Sequence, residues 1–237
     1  TDPVSSPPAD HVAENRRHWD ANASNWVTGG ERAWAQTEPT WGIWGIANGE
    51  LALLRDDLTG QRAIELGCGT GYVSAWMRRR GASVYAIDNS AEQLATARRI
   101  ADEHGIDDIE WVHANAEAVL QPDASFDFAI SEYGAAIWCD PHVWIPEAHR
   151  LLRSGGRLTF LGNHPFGMVC TPVDGASPAG LTLERSYFGL DRLDWTTALG
   201  NVANRPVAGE QGRTRRCRIV RRADDAHDFV EVCHRDD

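Results

Sequence analysis

The stretch Arg62-Ala63-Ile64-Glu65-Leu66-Gly67-Cys68-Gly69-Thr70-Gly71-Tyr72 decides the fold. A short apolar run, Arg62–Leu66, ends in a turn with glycine at every second position, and a helix-sized stretch follows to Arg80. Strand, glycine turn and helix in that order bring backbone N–H groups to a ligand at a helix N-terminus. The rhythm continues outward. Ser83–Ile87 precedes a helical pattern over Glu92–Glu103; then come Ile109–His113, Phe126–Ile130, a helix over His142–Leu152, and Arg157–Gly162. Gly81, Gly105 and the pair Gly155-Gly156 stand just past helix ends, where a left-handed residue is wanted. Short apolar strands alternating with helices predict a doubly wound, mostly parallel α/β sheet.

On the N-terminal side, residues 1–10 are polar and rich in Pro and Ser, and read as a disordered leader. Val12, Asn15, Trp19, Ala23 and Trp26 recur at intervals of three and four, predicting an amphipathic helix with Asp10 as N-cap. Residues 27–40 read as a loop, and residues 42–58 as a second helix with Ile46, Leu51, Leu53 and Leu54 inward. The expected organisation is a helical lid over 11–58, an α/β core over 59–163 and a C-terminal segment over 164–237. In that last segment Cys217–Val220 and Phe229–Cys233 are the strand candidates, the former inside a run of six Arg over residues 212–222.

Composition narrows the function. The 237 residues carry 34 acidic and 23 basic side chains, a net charge of −11. That balance opposes a dedicated nucleic-acid binder, which needs a basic face to displace counterions. Every basic residue is Arg, so Walker-type phosphate loops and lysine Schiff-base chemistry are excluded. The five cysteines form no C-x-x-C pair, and neither a disulfide framework nor a metal site is signalled. No run approaches the roughly 18 apolar residues of a membrane span, and no signal-peptide core is present. The expectation is a soluble cytoplasmic protein.

What the glycine turn can hold follows from its neighbours. The third small residue of a dinucleotide fingerprint is replaced by Tyr72, and Glu65 would repel a pyrophosphate but attract an ammonium group. Asp88 ends the second strand, where a carboxylate offers two acceptor oxygens to ribose hydroxyls. The third strand runs into His113-Ala114-Asn115-Ala116-Glu117, a polar side chain and a free backbone N–H suited to an adenine edge. Ammonium, ribose and adenine together describe S-adenosylmethionine.

The ordered runs E-L-G-C-G-T-G, A-I-D-N-S, N-A-E, S-F-D-F and P-E-A-H-R-L-L-R-S-G-G-R-L resemble the class I S-adenosylmethionine-dependent methyltransferases. The nearest likeness is to their small-molecule branch of ubiquinone/menaquinone methyltransferase-like enzymes, over about residues 14–163. The resemblance implies a Rossmann-like seven-stranded sheet, closed by antiparallel strands from the acceptor-side C-terminal segment. It implies S-adenosyl-L-methionine as cofactor. Glu65, Gly67 and Gly69 would border the methionine, with Cys68 and Gly71 in the same loop. Asp88 would take the ribose, with Asn89 and Gln93 beside it, and Asn115, Ala116 and Glu117 the adenine. Ser131 and Glu132 would lie beneath the methionine. Trp19-Asp20…Trp26 is similar to the family's aromatic lid segment, with Trp26 over the cofactor. Asn115 departs from the family's usual Asp.

The implied reaction moves a methyl group to O, C or N of a small, apolar or aromatic metabolite. His164 and His142, each just after a strand end, are the expected proton acceptors, with Glu132 and Tyr133 as alternatives. Trp34, Trp41, Trp44, Trp138 and Trp144 are candidates to line an acceptor pocket or to pack the core. The rival readings are an inactive S-adenosylmethionine-binding module, a nucleic-acid methyltransferase and, more distantly, an NAD-dependent oxidoreductase. The nucleic-acid reading lacks its Asn/Asp-Pro-Pro-aromatic motif, since Ser131-Glu132-Tyr133-Gly134 stands in that place. Neither nucleic acid nor a membrane span is an expected partner, and the sequence leaves the oligomeric state unread.

Overall fold

A computed structural model describes residues 9–172, 179–188, 190, 193–197, 200–204, 217–219 and 228–234, with side chains over 11–172, 179–188 and 190. Helix α1 (Ala9–Asn22) tightens into a 3-10 segment (Ala23–Trp26) and continues as α2 (Val27–Trp34). Asp10 is the second residue of this helix; its side chain, and most of the expected leader, lie outside the described residues. The expected loop at 27–40 is corrected too, because its first eight residues are helical. Gly30 breaks no helix here. It lets α2 press onto Thr70, whose Oγ1 would stand 2.6 Å from an added Cβ.

The expected helix over 42–58 is replaced by a hairpin, β1 (Thr40–Trp41) with β2 (Ile46–Ala47), and a single turn, α3 (Asn48–Leu51). Gly42 and Gly45 adopt φ of 66° and 62°, and Ala52 adopts 52°, conformations that end a right-handed helix. Asn48 organises the turn: its Oδ1 accepts from Leu54 N (3.0 Å) and Trp41 Nε1 (3.1 Å), and its Nδ2 donates to Leu54 O (2.8 Å).

The α/β rhythm then follows: β3 (Arg62–Leu66), α4 (Tyr72–Arg79), β4 (Ser83–Asp88), α5 (Ala91–Glu103), β5 (Ile109–His113) and β6 (Phe126–Glu132). After it come α6 (Ala135–Trp138), α7 (Pro141–Leu151), β7 (Leu152–Asn163), α8 (Pro165–Cys170), the hairpin β8 (Leu193–Thr197) and β9 (Gly200–Asn204), then β10 (Cys217–Ile219) and β11 (Asp228–His234). The main sheet has seven strands in the order β10-β11-β7-β6-β3-β4-β5. Strands β3 to β7 are parallel, while β11 pairs antiparallel with β7 and β10 with β11. The doubly wound, mostly parallel fold is thus present, closed by strands at both C-terminal candidates. The rest of the Arg run at 212–222 lies outside the described residues.

Side chains alternate across the sheet with the strand period of two. Ala63, Val84, Ala86 and Phe128 face one core with Val73, Trp76, Met77 and Leu94. Ile64, Leu66, Tyr85, Ile87 and Ala129 face the other with Trp144, Leu151 and Phe160. The chain runs outward from β3 through β4 to β5, then returns to place β6 on the other side of β3. The ends of β3 and β6 therefore form the topological switch point, where ligands of such sheets bind. Among the described residues, no helix is long and apolar enough to cross a membrane.

Candidate functional site

A cavity of about 1010 Å³ opens over the C-terminal ends of β3, β4, β5 and β6. At the switch point, Gly67 (φ 80°) lies backbone to backbone with Gly134, and a Cβ on Gly67 would stand 2.7 Å from Gly134 Cα. Ser131, fully buried, staples the two strands by donating to Leu66 O (2.8 Å) and accepting from Ala136 N (3.2 Å). Gly71 caps α4, and a Cβ there would meet Trp111 at 2.4 Å. Gly69 differs: at φ 52° it faces open space, with nothing within 4 Å of an added Cβ. Its open cradle is where a ligand can touch the loop backbone.

Period-two alternation sends Glu65 to the α4 face, where it is buried and accepts the Ser74 hydroxyl proton. Burial raises its carboxyl well above the ordinary value, and the nearby charges of Glu132 and Asp88 push the same way against the Ser74 bond. Asp88 holds the loop from β4: its Oδ2 accepts from Gly69 N (2.7 Å) and its Oδ1 from Ser90 N (2.8 Å). Burial raises its carboxyl as well, partly offset by those two backbone bonds. Each oxygen retains a lone pair for a hydroxyl donor. Ser90, not Asp88, caps α5 by accepting from Gln93 N. Burial also pushes the Cys68 thiol up, with Asp88 and Glu65 adding to the effect, so it stays a protonated lining group.

Helix α1 is fastened across the strand ends. His11 Nε2 meets Glu117 Oε1 at 2.8 Å, Asn89 Nδ2 donates to Val12 O (2.8 Å), and Arg16 donates twice to Asn89 Oδ1. Asp20 Oδ1 accepts from the Ser90 hydroxyl at 2.7 Å. Above the cleft Trp19 sits 5.6 Å from the Trp26 ring and edge-on to Trp138 at 5.1 Å. Trp26 is 52% exposed and lies at the cleft mouth with Trp44. Trp34, Trp41 and Trp144 are buried in the core instead.

Of the expected contacts, Trp26, Glu65, Gly67, Cys68, Gly69, Asp88, Asn89, Gln93, Asn115, Ala116 and Glu117 line this one cavity. Gly71 and Ser131 stand behind it, in the packing just described. Neither expected histidine is among the lining residues. His164 Nδ1 accepts from Phe166 N (3.1 Å) and so caps α8, while His142 begins α7 beside its cap Asp140. Glu132 does line the cavity. It accepts the Tyr72 hydroxyl proton and, at 3.3 Å, Gly42 N from the β1–β2 turn. Tyr133 beside it is held at φ 52°, a strained backbone for a bulky residue. Asn15, Asn163 and Met168 also line the cavity, and sequence reading had not assigned them to it.

The arrangement fits an adenosyl-methionine ligand. The volume is at the upper end of the roughly 300–1,000 Å³ usual for small-molecule sites. Glu65, which is buried, and Asp88 offer carboxylates of the kind an ammonium and ribose hydroxyls require, and Gln93 Oε1, buried in the cleft wall, has no hydrogen-bond partner.

The comparisons agree with this geometry. The family of methyltransferase domains matches residues 64–160. A malonyl-[acyl-carrier protein] O-methyltransferase of Enterobacter lignolyticus is 40% identical over 101 residues, 42% of this chain and 38% of its own. A demethylmenaquinone methyltransferase of Thermus thermophilus is 33% identical over 116 residues, 46% of this chain and 52% of its own. The chain thus spans about half the length, or less, of these curated relatives. The solved S-adenosylmethionine-dependent methyltransferase of Mesorhizobium loti superposes with a TM-score of 0.60 at 22% identity, covering 82% of this chain and all of that one, a likeness of fold. Residues 64–160 are thus similar to a methyltransferase domain, within a chain that shares the fold of a solved S-adenosylmethionine-dependent methyltransferase.

Proposed function

We propose that the protein transfers the methyl group of S-adenosylmethionine to a small, apolar or aromatic acceptor. The observation that carries this reading is the single cavity uniting Glu65, the open Gly69 cradle, Asp88 and the Asn115-Ala116 edge beneath an aromatic lid. In this reading Glu65 faces the ammonium, Asp88 and Gln93 the ribose, and Asn115 with Ala116 the base. The cofactor supplies an already activated methyl group when bound. The chain's own work is to hold the acceptor in line and exclude water, which is where most of the acceleration of such a transfer arises.

The acceptor lobe is formed by Trp19, Trp26, Ile43, Trp44, Trp138 and Met168, an apolar surface suited to a flat or hydrocarbon molecule. Where the acceptor atom carries a proton, Glu132 is the cleft group placed to take it, positioned by Tyr72 and Gly42 N. The histidines do not line the cleft, which is why the assignment moves to this carboxylate.

The test is incubation with S-adenosylmethionine and a panel of neutral phenols, hydroxylated quinones and aromatic amines, following S-adenosylhomocysteine and methylated product by mass spectrometry. Stoichiometric formation of both with at least one acceptor is expected. Tight cofactor binding with no S-adenosylhomocysteine formed from any acceptor would instead favour a non-catalytic binding module.

A further inference from the structure

We propose that the acceptor is an amine carried on an apolar or aromatic body, bound as its ammonium against Glu132 and methylated on nitrogen; the proposal rests on the methyl-transfer reading above. Among the described residues, four acids line the cleft, Glu65, Asp88, Glu117 and Glu132, against one basic side chain, Arg32. Arg32 is exposed and donates to Thr28 O at 3.3 Å. Glu117 is taken up by His11 Nε2 and by Asp140 N. Glu65 and Asp88 serve the cofactor in the reading above, which leaves Glu132 as the acid for the acceptor.

The surroundings of Glu132 set the charge it welcomes. Glu65 is in register with Ile130, so Glu132, two residues further on, stands on the same α4 side of the sheet. There the first turn of α4 meets both acids, Tyr72 donating to Glu132 and Ser74 to Glu65. Burial, and then the Glu132 charge, raise the Tyr72 hydroxyl well above its ordinary value, so it remains the donor of its pair. An ammonium brings the half-buried Glu132 to a net charge of zero. A neutral alcohol or phenol leaves the negative charge in place, and a carboxylate doubles it beside Glu65. Trp19, Trp26 and Trp44 line the same cleft, and indole rings attract cations and apolar groups alike. In the transfer the ammonium R–NH3+ gives one proton to a Glu132 oxygen, and the freed lone pair forms the N–C bond as the methyl–sulfur bond breaks. The electrons of the broken bond stay on sulfur as a neutral thioether, and the positive charge passes to R–NH2+–CH3. The Glu132 proton returns to water as the product leaves.

Calorimetric titration of the full chain, saturated with S-adenosylhomocysteine, tests this with tryptamine, tryptophol and indole-3-acetate. The three share an indole body, and at about pH 7.5 the first is a cation, the second neutral and the third an anion. Tryptamine is expected to bind at least about tenfold more tightly than tryptophol, the size of one charge-assisted hydrogen bond, with indole-3-acetate weakest. Glu132→Gln should lose most of that margin. With S-adenosylmethionine present instead, mass spectrometry should find the methyl group on the tryptamine nitrogen and on neither oxygen compound. Equal or weaker binding of tryptamine, no methylation of it, methyl on tryptophol or indole-3-acetate, or an unchanged margin in a folded Glu132→Gln would each overturn the proposal. If that variant does not fold, the order of the three ligands on the wild type decides. A wild type that fails to bind S-adenosylhomocysteine would defeat the cofactor reading itself.

Discussion

At the residue scale, the loop glycines divide into two kinds that the sequence does not distinguish. Gly67 is glycine because Gly134 occupies the space of its side chain, whereas Gly69 is glycine because the cleft lies there. Gly67→Ala must displace backbone and is expected to destabilise the fold by about 2–4 kcal/mol in urea denaturation. Gly69→Ala has room and should lose only about 1–2 kcal/mol for its left-handed backbone, while sharply weakening cofactor binding. Glu65 yields a prediction in pH. Its folded-state pKa lies above the ordinary value of 4.5, so the folded chain retains a proton that the unfolded chain releases. Stability from this group is therefore lost as pH rises from that ordinary value through the raised one. Glu65→Gln should flatten the curve and make the ligand-free protein more stable near about pH 8, measured by denaturant midpoint. In the wild type, a cationic ligand favours the ionised carboxylate, so S-adenosylmethionine should bind more tightly as pH rises above the ordinary carboxyl value toward neutrality, while its own amino group is still charged, a trend reduced in Glu65→Gln.

At the element scale, helix α1 is held across the cleft by polar fastenings to Glu117, Asn89 and Ser90. Asp20→Ala removes the acceptor for the Ser90 hydroxyl and should loosen the lid by about 1 kcal/mol. Hydrogen exchange over residues 9–22 should quicken and cofactor affinity fall several-fold, with the core strands unchanged. Unaltered exchange in the lid would show that the remaining ties to Asn89 and Glu117 suffice. The core strands were legible in the sequence because burial on both faces leaves short apolar runs bounded by turn residues, as at Arg62–Leu66 and Phe126–Ile130. Helix α2 was hidden by Gly29-Gly30, since a glycine that serves close packing on Thr70 looks the same in sequence as one that opens a loop. The β1–β2 hairpin was hidden for the opposite reason: Leu51, Leu53 and Leu54 mimic a helical stripe, but Leu53 and Leu54 reach the core from a turn organised by Asn48.

At the scale of the whole molecule, a doubly wound sheet sets the cleft at the crossing of β3 and β6, and the lid and the β1–β2 turn supply its upper wall. That Glu65, Gly69, Asp88 and Asn115 line one cleft was legible because these residues follow strand ends in a fixed order. The wall carrying Glu132 was not, because that side chain gains its place through Tyr72 and Gly42, contacts between segments far apart in the chain. The central claim is that this cleft binds an adenosyl sulfur ligand through Asp88. Its most direct test is isothermal titration of the chain with S-adenosylmethionine, S-adenosylhomocysteine and NAD, alongside Asp88→Asn and Asp88→Ala. The account predicts dissociation constants on the order of micromolar for the two sulfur ligands, no NAD binding, and a loss of at least about tenfold in each variant. A folded wild-type chain that binds neither sulfur ligand, or that binds NAD through the same carboxylate, would contradict it.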